Sequence, residues 1–365
     1  MGKIRIEWLD GARGIAIFLV VLGHVLRGLP ENAIRPGEWV DFLDSWIYSF
    51  HMPVFFFISG LFIESSAKRP LGKFIVLKLQ TIAYPYFLWS ILQESLRAVS
   101  GADTFSGLWK ILYLPVMQYW FFYVLFLLGF FYALTRKAKL PIWAFALGIL
   151  ILYALPQLGV NLGSWGVIYM TALNGVYFAG GALEGVEHLS KHVQFKTLRV
   201  QGICSLSGFL VLFMAVAWAW QENSIIKPML GFVGIAATLI TANALFKANM
   251  GKFLANWGKL SLEIFVAHTI FSAIVRSILL FLGINSMGAH ILLPLFAGIA
   301  GPILLVRVLT RLRINFAFTW PKTLFAHPCL PVRPGIELFR IPSVSGLTGR
   351  PVPRQVCFPA AGCPN

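Results

Sequence analysis

The sequence predicts an all-α, polytopic membrane protein of about ten transmembrane helices, and three observations carry that prediction. Hydrophobic residues make up 58% of the 365-residue chain and charged residues only 12%, about half the roughly 25% of soluble domains. Long apolar segments recur along the chain, each near the ~17–25 residues that cross a bilayer as a helix. Basic residues alternate between successive connections. So few charges would not cover the surface of a soluble protein this long. An ordinary cytosolic enzyme, a disordered chain and a secreted disulfide scaffold are therefore excluded. Helices are the spanning elements that satisfy their own backbone in lipid.

Ten segments are read, at 8–29, 45–63, 74–97, 119–134, 141–158, 165–185, 200–220, 225–246, 259–282 and 288–312. The fourth is the shortest, and an earlier start near Leu108 would lengthen it. Turn formers such as Pro30, Pro70, Pro141 and Gly283 fall in the connections. With the N-terminus inside, 18 Lys and Arg residues fall on the inner side and five on the outer. Cytoplasmic connections carry such an excess, so the expected orientation is N-in and C-in. The outer connection after the first segment is acidic instead, with Glu31, Glu38, Asp41 and Asp44.

The net charge of +16 has the same origin, and no nucleic-acid partner is expected. The transmembrane domain is taken as 1–312. The remainder, 313–365, holds nine prolines in 53 residues and shows no apolar periodicity, so a disordered tail is expected. Cys204 lies in an apolar stretch and Cys329, Cys357 and Cys363 lie in the tail, without zinc-type spacing.

Ionisable residues within spans are costly and therefore candidates for function. In the first segment Asp10 and Arg13 are three apart and share a helical face. His24 follows Arg13 by eleven residues, about three turns, which places both on one face roughly 16 Å apart. That stripe suits an anion site near the inner surface and proton chemistry deeper in the membrane; an interfacial anchor and a helix–helix hydrogen bond are the structural alternatives. His51 opens the second segment from the outer side, followed by Pro53, which frees a backbone carbonyl, and by Ser59 and Gly60, which permit close packing. A neutral imidazole takes a proton from a hydroxyl near pH 7. No third ligand has helical spacing to either histidine, so no metal is expected. In the ninth segment Glu263 is placed to pair with Arg13, and His268 falls near mid-membrane. Tyr119 and Trp120, at the outer start of the fourth segment, suit either an interfacial belt or a grip on sugar. Glu94 and Arg97 read as an interfacial pair.

Five pieces in order resemble the family-3 membrane acyltransferases: Trp8, Asp10, Arg13 and Gly14 with His24; Phe50, His51, Pro53, Ser59 and Gly60; Leu77 and Lys78 leading to Tyr84, Pro85, Tyr86 and Trp89; Tyr119 and Trp120; and Gly258, Ser261, Glu263 and His268. They span roughly residues 5–312. The resemblance implies a ten-helix core that moves an acyl group, usually acetyl, from acetyl-CoA to a hydroxyl of a sugar, envelope polysaccharide or lipid-linked glycan. It implies no bound cofactor, with acyl-CoA as co-substrate, in a bacterial inner membrane. By position His24 matches the family's essential histidine, with His51 in the second motif, so His24 and His51 are the expected catalytic residues, sharing the proton transfer or with one orienting the substrate. Asp10, Arg13, Lys78, Tyr119, Trp120, Glu263 and His268 are then expected to bind donor or acceptor. A transporter or exporter of a small anion or glycan is the competing class; the duplicated halves it would show are not seen.

Overall fold

The computed structural model describes residues 6–321 apart from 33, 35–36, 100, 102–104, 193–196 and 315. Every described regular element is helical. The long helices are α1 (Glu7–Glu31), α7 (Trp120–Lys137), α9 (Gly166–His192), α10 (Leu198–Ala217), α11 (Ile226–Lys247), α13 (Ser261–Phe281) and α14 (Met287–Arg311). Shorter ones are α2 (Glu38–Tyr48), α3 (His51–Leu61), α4 (Ile63–Ala67), α5 (Leu71–Lys78), α6 (Tyr84–Val99), α8 (Ile142–Gln157) and α12 (Lys252–Lys259). A π-helical stretch, Leu79–Ala83, joins α5 to α6, and the fourth segment does begin early, as 3-10 turns at Phe105–Leu112 and Met117–Tyr119. Eight stretches among the described residues are long and apolar enough to cross a membrane.

Two expected segments fall short of that standard. The one at 141–158 is the sixteen-residue α8. The one at 45–63 is broken between α2 and α3, each eleven residues long. Pro53, expected inside a span, is the third residue of α3, where a helix has no partner for its N–H and proline is tolerated. The sixth segment, expected to end at 185, continues to His192 past a break at Gly185, whose φ of 64° leaves the helical region.

α1 is the hub, packing against α3, α11, α12, α13 and α14. Its contact with α12 is backbone on backbone. A Cβ at Gly14 would overlap the Leu254 carbonyl, and one at Gly258 would overlap that of Asp10. α3 meets α9 in the same way, through Gly60 and Gly181. Small residues at such contacts drive association where lipid removes the hydrophobic driving force. The outer faces of α10 and α14 expose large apolar side chains such as Leu206, Leu210, Leu292 and Phe296.

The chain beyond 313, expected to be disordered, orders at its start. Tyr84 donates to the Phe316 carbonyl at 2.7 Å and the Trp89 indole to that of Ala317 at 2.8 Å. Phe318 stacks on Trp89 at 5.3 Å. Two backbone carbonyls thus trade water for bonds to two aromatic side chains of α6. The rest of that expectation, from 322 on, lies outside the described residues.

Candidate active site

Three histidines gather around the second half of α1. His24 and His268 have ring centroids 5.1 Å apart with planes at 53°. His51 and Arg27 lie within electrostatic reach of His24. The eleven-residue spacing from Arg13 turns His24 inward; α13 brings His268 beside it, and the break before α3 delivers His51.

The three imidazoles are held differently. In His268 Nδ1 donates to the carbonyls of Ile264 and Phe265, at 3.0 and 2.9 Å. A carbonyl only accepts, so the proton sits on Nδ1 and the lone pair on Nε2. That Nε2 is buried with no hydrogen-bond partner among the described residues. In His51 Nδ1 donates to the Ile47 carbonyl at 2.8 Å, which fixes the same tautomer, and the ring meets Tyr48 edge-on at 4.5 Å. Both rings are essentially inaccessible, at 1% and 0%. His24 is half-buried, and no hydrogen bond among the described residues engages its nitrogens.

Arg27 lies one turn beyond His24 on the same face of α1. Its Nε and Nη2 reach the two carboxylate oxygens of Asp44 at 2.9 and 3.0 Å, the fork geometry that suits guanidinium and carboxylate. Its guanidinium lies 3.1 Å from the Tyr48 ring centroid. In the sequence Arg27 counts only as one of the five outer basic residues; its i+3 spacing from His24 was the available signal.

At the other end of the stripe Arg13 donates to Asp10 at 3.2 Å, both side chains nearly buried. The guanidinium lies 5.4 Å from the Phe62 ring centroid. The expected pairing of Arg13 with Glu263 does not form. Asp10, a turn away on the same helix, takes that place, while Glu263 is buried in the first turn of α13, where the helix dipole favours a carboxylate. Lys78 ends α5 with Nζ 5.4 Å from the Phe74 ring and makes no described contact with the histidines. Glu94 and Arg97 pair as expected, at 3.7 Å.

Tyr119 is fully buried, not in an interfacial belt, and its hydroxyl lies 2.9 Å from Gln93 Oε1 and 2.7 Å from the Val266 carbonyl. Gln93 Oε1 also accepts from Thr269 at 3.2 Å and from Gln118 at 3.3 Å. Gln118 further donates to Thr269 at 3.1 Å. This network ties α6 and the start of α7 to the turn of α13 that carries His268. Trp120 stacks on Phe56 at 6.1 Å. Arg276, buried on α13, donates to the carbonyls of Val25 and His290 at 2.7 and 3.1 Å. Among the described residues no three His, Cys, Asp or Glu side chains converge on one point that would hold a metal ion.

These features define a multi-pass, all-helical membrane protein with a histidine cluster where α3 and α13 meet its central helix α1. The acyltransferase domain model of family 3 matches residues 6–308, and the chain belongs to the family 3 acyltransferases. Neither the curated proteins nor the solved structures contain a match.

Proposed function

We propose that this membrane acyltransferase moves an acyl group, acetyl in the simplest case, from acyl-CoA to a hydroxyl of a sugar, envelope polysaccharide or lipid-linked glycan. The observation that carries the reading is the difference among the histidines. His51 and His268 spend Nδ1 on helix carbonyls and are shut away, whereas His24 is half-buried and no hydrogen bond among the described residues engages its nitrogens. His24 is therefore the general base. It takes the proton from the acceptor hydroxyl as that oxygen attacks the thioester carbonyl. The new C–O bond forms and the C–S bond breaks. The departing CoA thiolate recovers the proton from His24, which leaves free thiol and an ester. Holding both substrates in register supplies much of the remaining acceleration.

Arg13 binds the phosphates of CoA through charge-assisted hydrogen bonds, with Lys78 as a second cation. The N-in orientation expected from the basic residues puts Arg13 on the cytoplasmic side, in a bacterial inner membrane. His24 then sits toward the acceptor on the other side. No bound cofactor takes part in this scheme.

The test is mass spectrometry of envelope glycans and glycolipids from cells with the gene, without it, and with His24→Ala at matched membrane levels. The expected result is one acetyl or short acyl group present only with the wild type. Identical acyl content in all three strains would overturn the reading.

A further inference from the structure

We propose that the groove built on residues 109–117 seats the carbohydrate acceptor, an inference that rests on the reaction proposed above. Two cavities of about 230 and 280 Å³ share Leu114 in their linings. One is lined by Glu94, Arg97 and Lys110, the other by Tyr113, Ser164 and Trp165.

Side chains from neighbouring elements build this groove. Three successive carbonyls of its floor each accept from an aromatic side chain: Ile111 from Tyr86, Leu112 from Tyr123, and Tyr113 from Trp165 at 2.5 Å. Tyr113 remains 40% exposed, with the Trp109 ring 5.3 Å away. A sugar ring has an apolar C–H face and a rim of hydroxyls. The face suits the negative π-surface of Tyr113 and Trp165. The hydroxyls suit Glu94 as acceptor and Arg97 and Lys110 as donors. A hydrocarbon tail would have no use for the charged end.

A chain of side-chain contacts connects the groove to the histidines. Met117 lines its charged end with φ of 41°, a left-handed backbone uncommon outside glycine. Its sulfur accepts from Gln93 at 2.8 Å. The next residue, Gln118, donates to Thr269, the chain neighbour of His268, which meets His24.

The experiment has two arms. Cells producing Tyr113→Ala, Trp165→Ala, Lys110→Ala or Tyr113→Phe are compared with wild type for acyl content of envelope carbohydrate, at matched membrane levels. The same proteins in lipid nanodiscs are given acetyl-CoA alone, and release of CoA thiol is followed. The two aromatic-to-Ala variants should lose carbohydrate acylation about tenfold or more while hydrolysing acetyl-CoA at the wild-type rate. Tyr113→Phe, which keeps the ring, should retain most of the acylation that Tyr113→Ala loses. Lys110→Ala, at an exposed rim, gives a partial loss even if the aromatic variants fail to fold. Wild-type acylation in Tyr113→Ala, Trp165→Ala and Lys110→Ala would overturn the groove. So would loss of both activities together in every variant, Tyr113→Phe included. Wild-type cells without acylated carbohydrate would instead bring down the parent reading, and this one with it.

Discussion

The imidazole of His268 lies 5.1 Å from that of His24, yet of the two only His24 is part-exposed. His268 is buried at 0% exposure with Nδ1 donating to its own helix. On the proposed reading it buttresses the base, and the proton transfer belongs to His24. His24→Ala should lower kcat about 10²–10⁴-fold, the usual worth of a positioned general base, with the unfolding midpoint unchanged. His268→Phe, which fills the space, should cost only about tenfold. Steady-state kinetics beside thermal unfolding in nanodiscs tests this. An equal loss in the two variants would mean that both rings handle the proton.

Arg13 and Asp10 form a nearly buried pair on one turn of α1. If Arg13 grips the CoA phosphates, Arg13→Gln removes a contact made equally in ground and transition states. KM for acyl-CoA should rise about tenfold or more with kcat little changed. Asp10→Asn, which releases the guanidinium without deleting it, should raise KM by less. Acyl-CoA titrations decide it; a fall in kcat at constant KM would place Arg13 at the reacting atoms instead.

What was legible in the sequence follows from periodicity and charge. The spans came from composition. The inward turn of His24 came from an eleven-residue spacing, and the Asp10–Arg13 pair from i, i+3 geometry. Long-range matters were not legible. Nothing local distinguishes Asp10 from Glu263 as the partner of Arg13 except that a pair on one helix needs no tertiary contact. The network of Gln93, Gln118, Tyr119 and Thr269 escaped because neutral amides and hydroxyls do not stand out in an apolar chain, and Gln93 and Thr269 are 176 residues apart. The break before His51 was hidden because Pro53 fits a mid-span kink and a first turn equally well.

Gly258 carries the tightest approach at the site. An added Cβ would overlap the Asp10 carbonyl and press on the Gly14 amide. Backbone atoms do not give way as a flexible side chain does, so Gly258→Ala must push α12 from α1. The expected cost is about 1–3 kcal/mol, as for overpacking elsewhere, with KM for acyl-CoA rising because Asp10 and Arg13 move too. Gly72→Ala, where a Cβ meets nothing, is the control. Equal unfolding midpoints for the two variants would show that α12 is loosely held.

Glu64 offers a pH test away from the histidines. Tyr132 donates to its carboxylate at 2.6 Å, and Arg136 through Nε and Nη2 at 3.3 Å each. Partial burial pushes the carboxyl up, but the bonds from Tyr132 and Arg136, with the charges of Arg136 and Lys68, outweigh it and hold the group below its ordinary 4.5. A carboxylate lowered on folding stabilises the folded state above its unfolded value, and that contribution fades as pH falls through the folded one. The unfolding midpoint of wild type should therefore exceed that of Glu64→Gln most clearly above pH 4.5. The gap should close on acidification below that value. It should be small, because the pair is about one-third exposed and water screens it. Thermal unfolding of both proteins across that range measures the gap directly. A gap that widens toward acid would mean that Glu64 is protonated in the folded protein and that the ion pair to Arg136 contributes nothing.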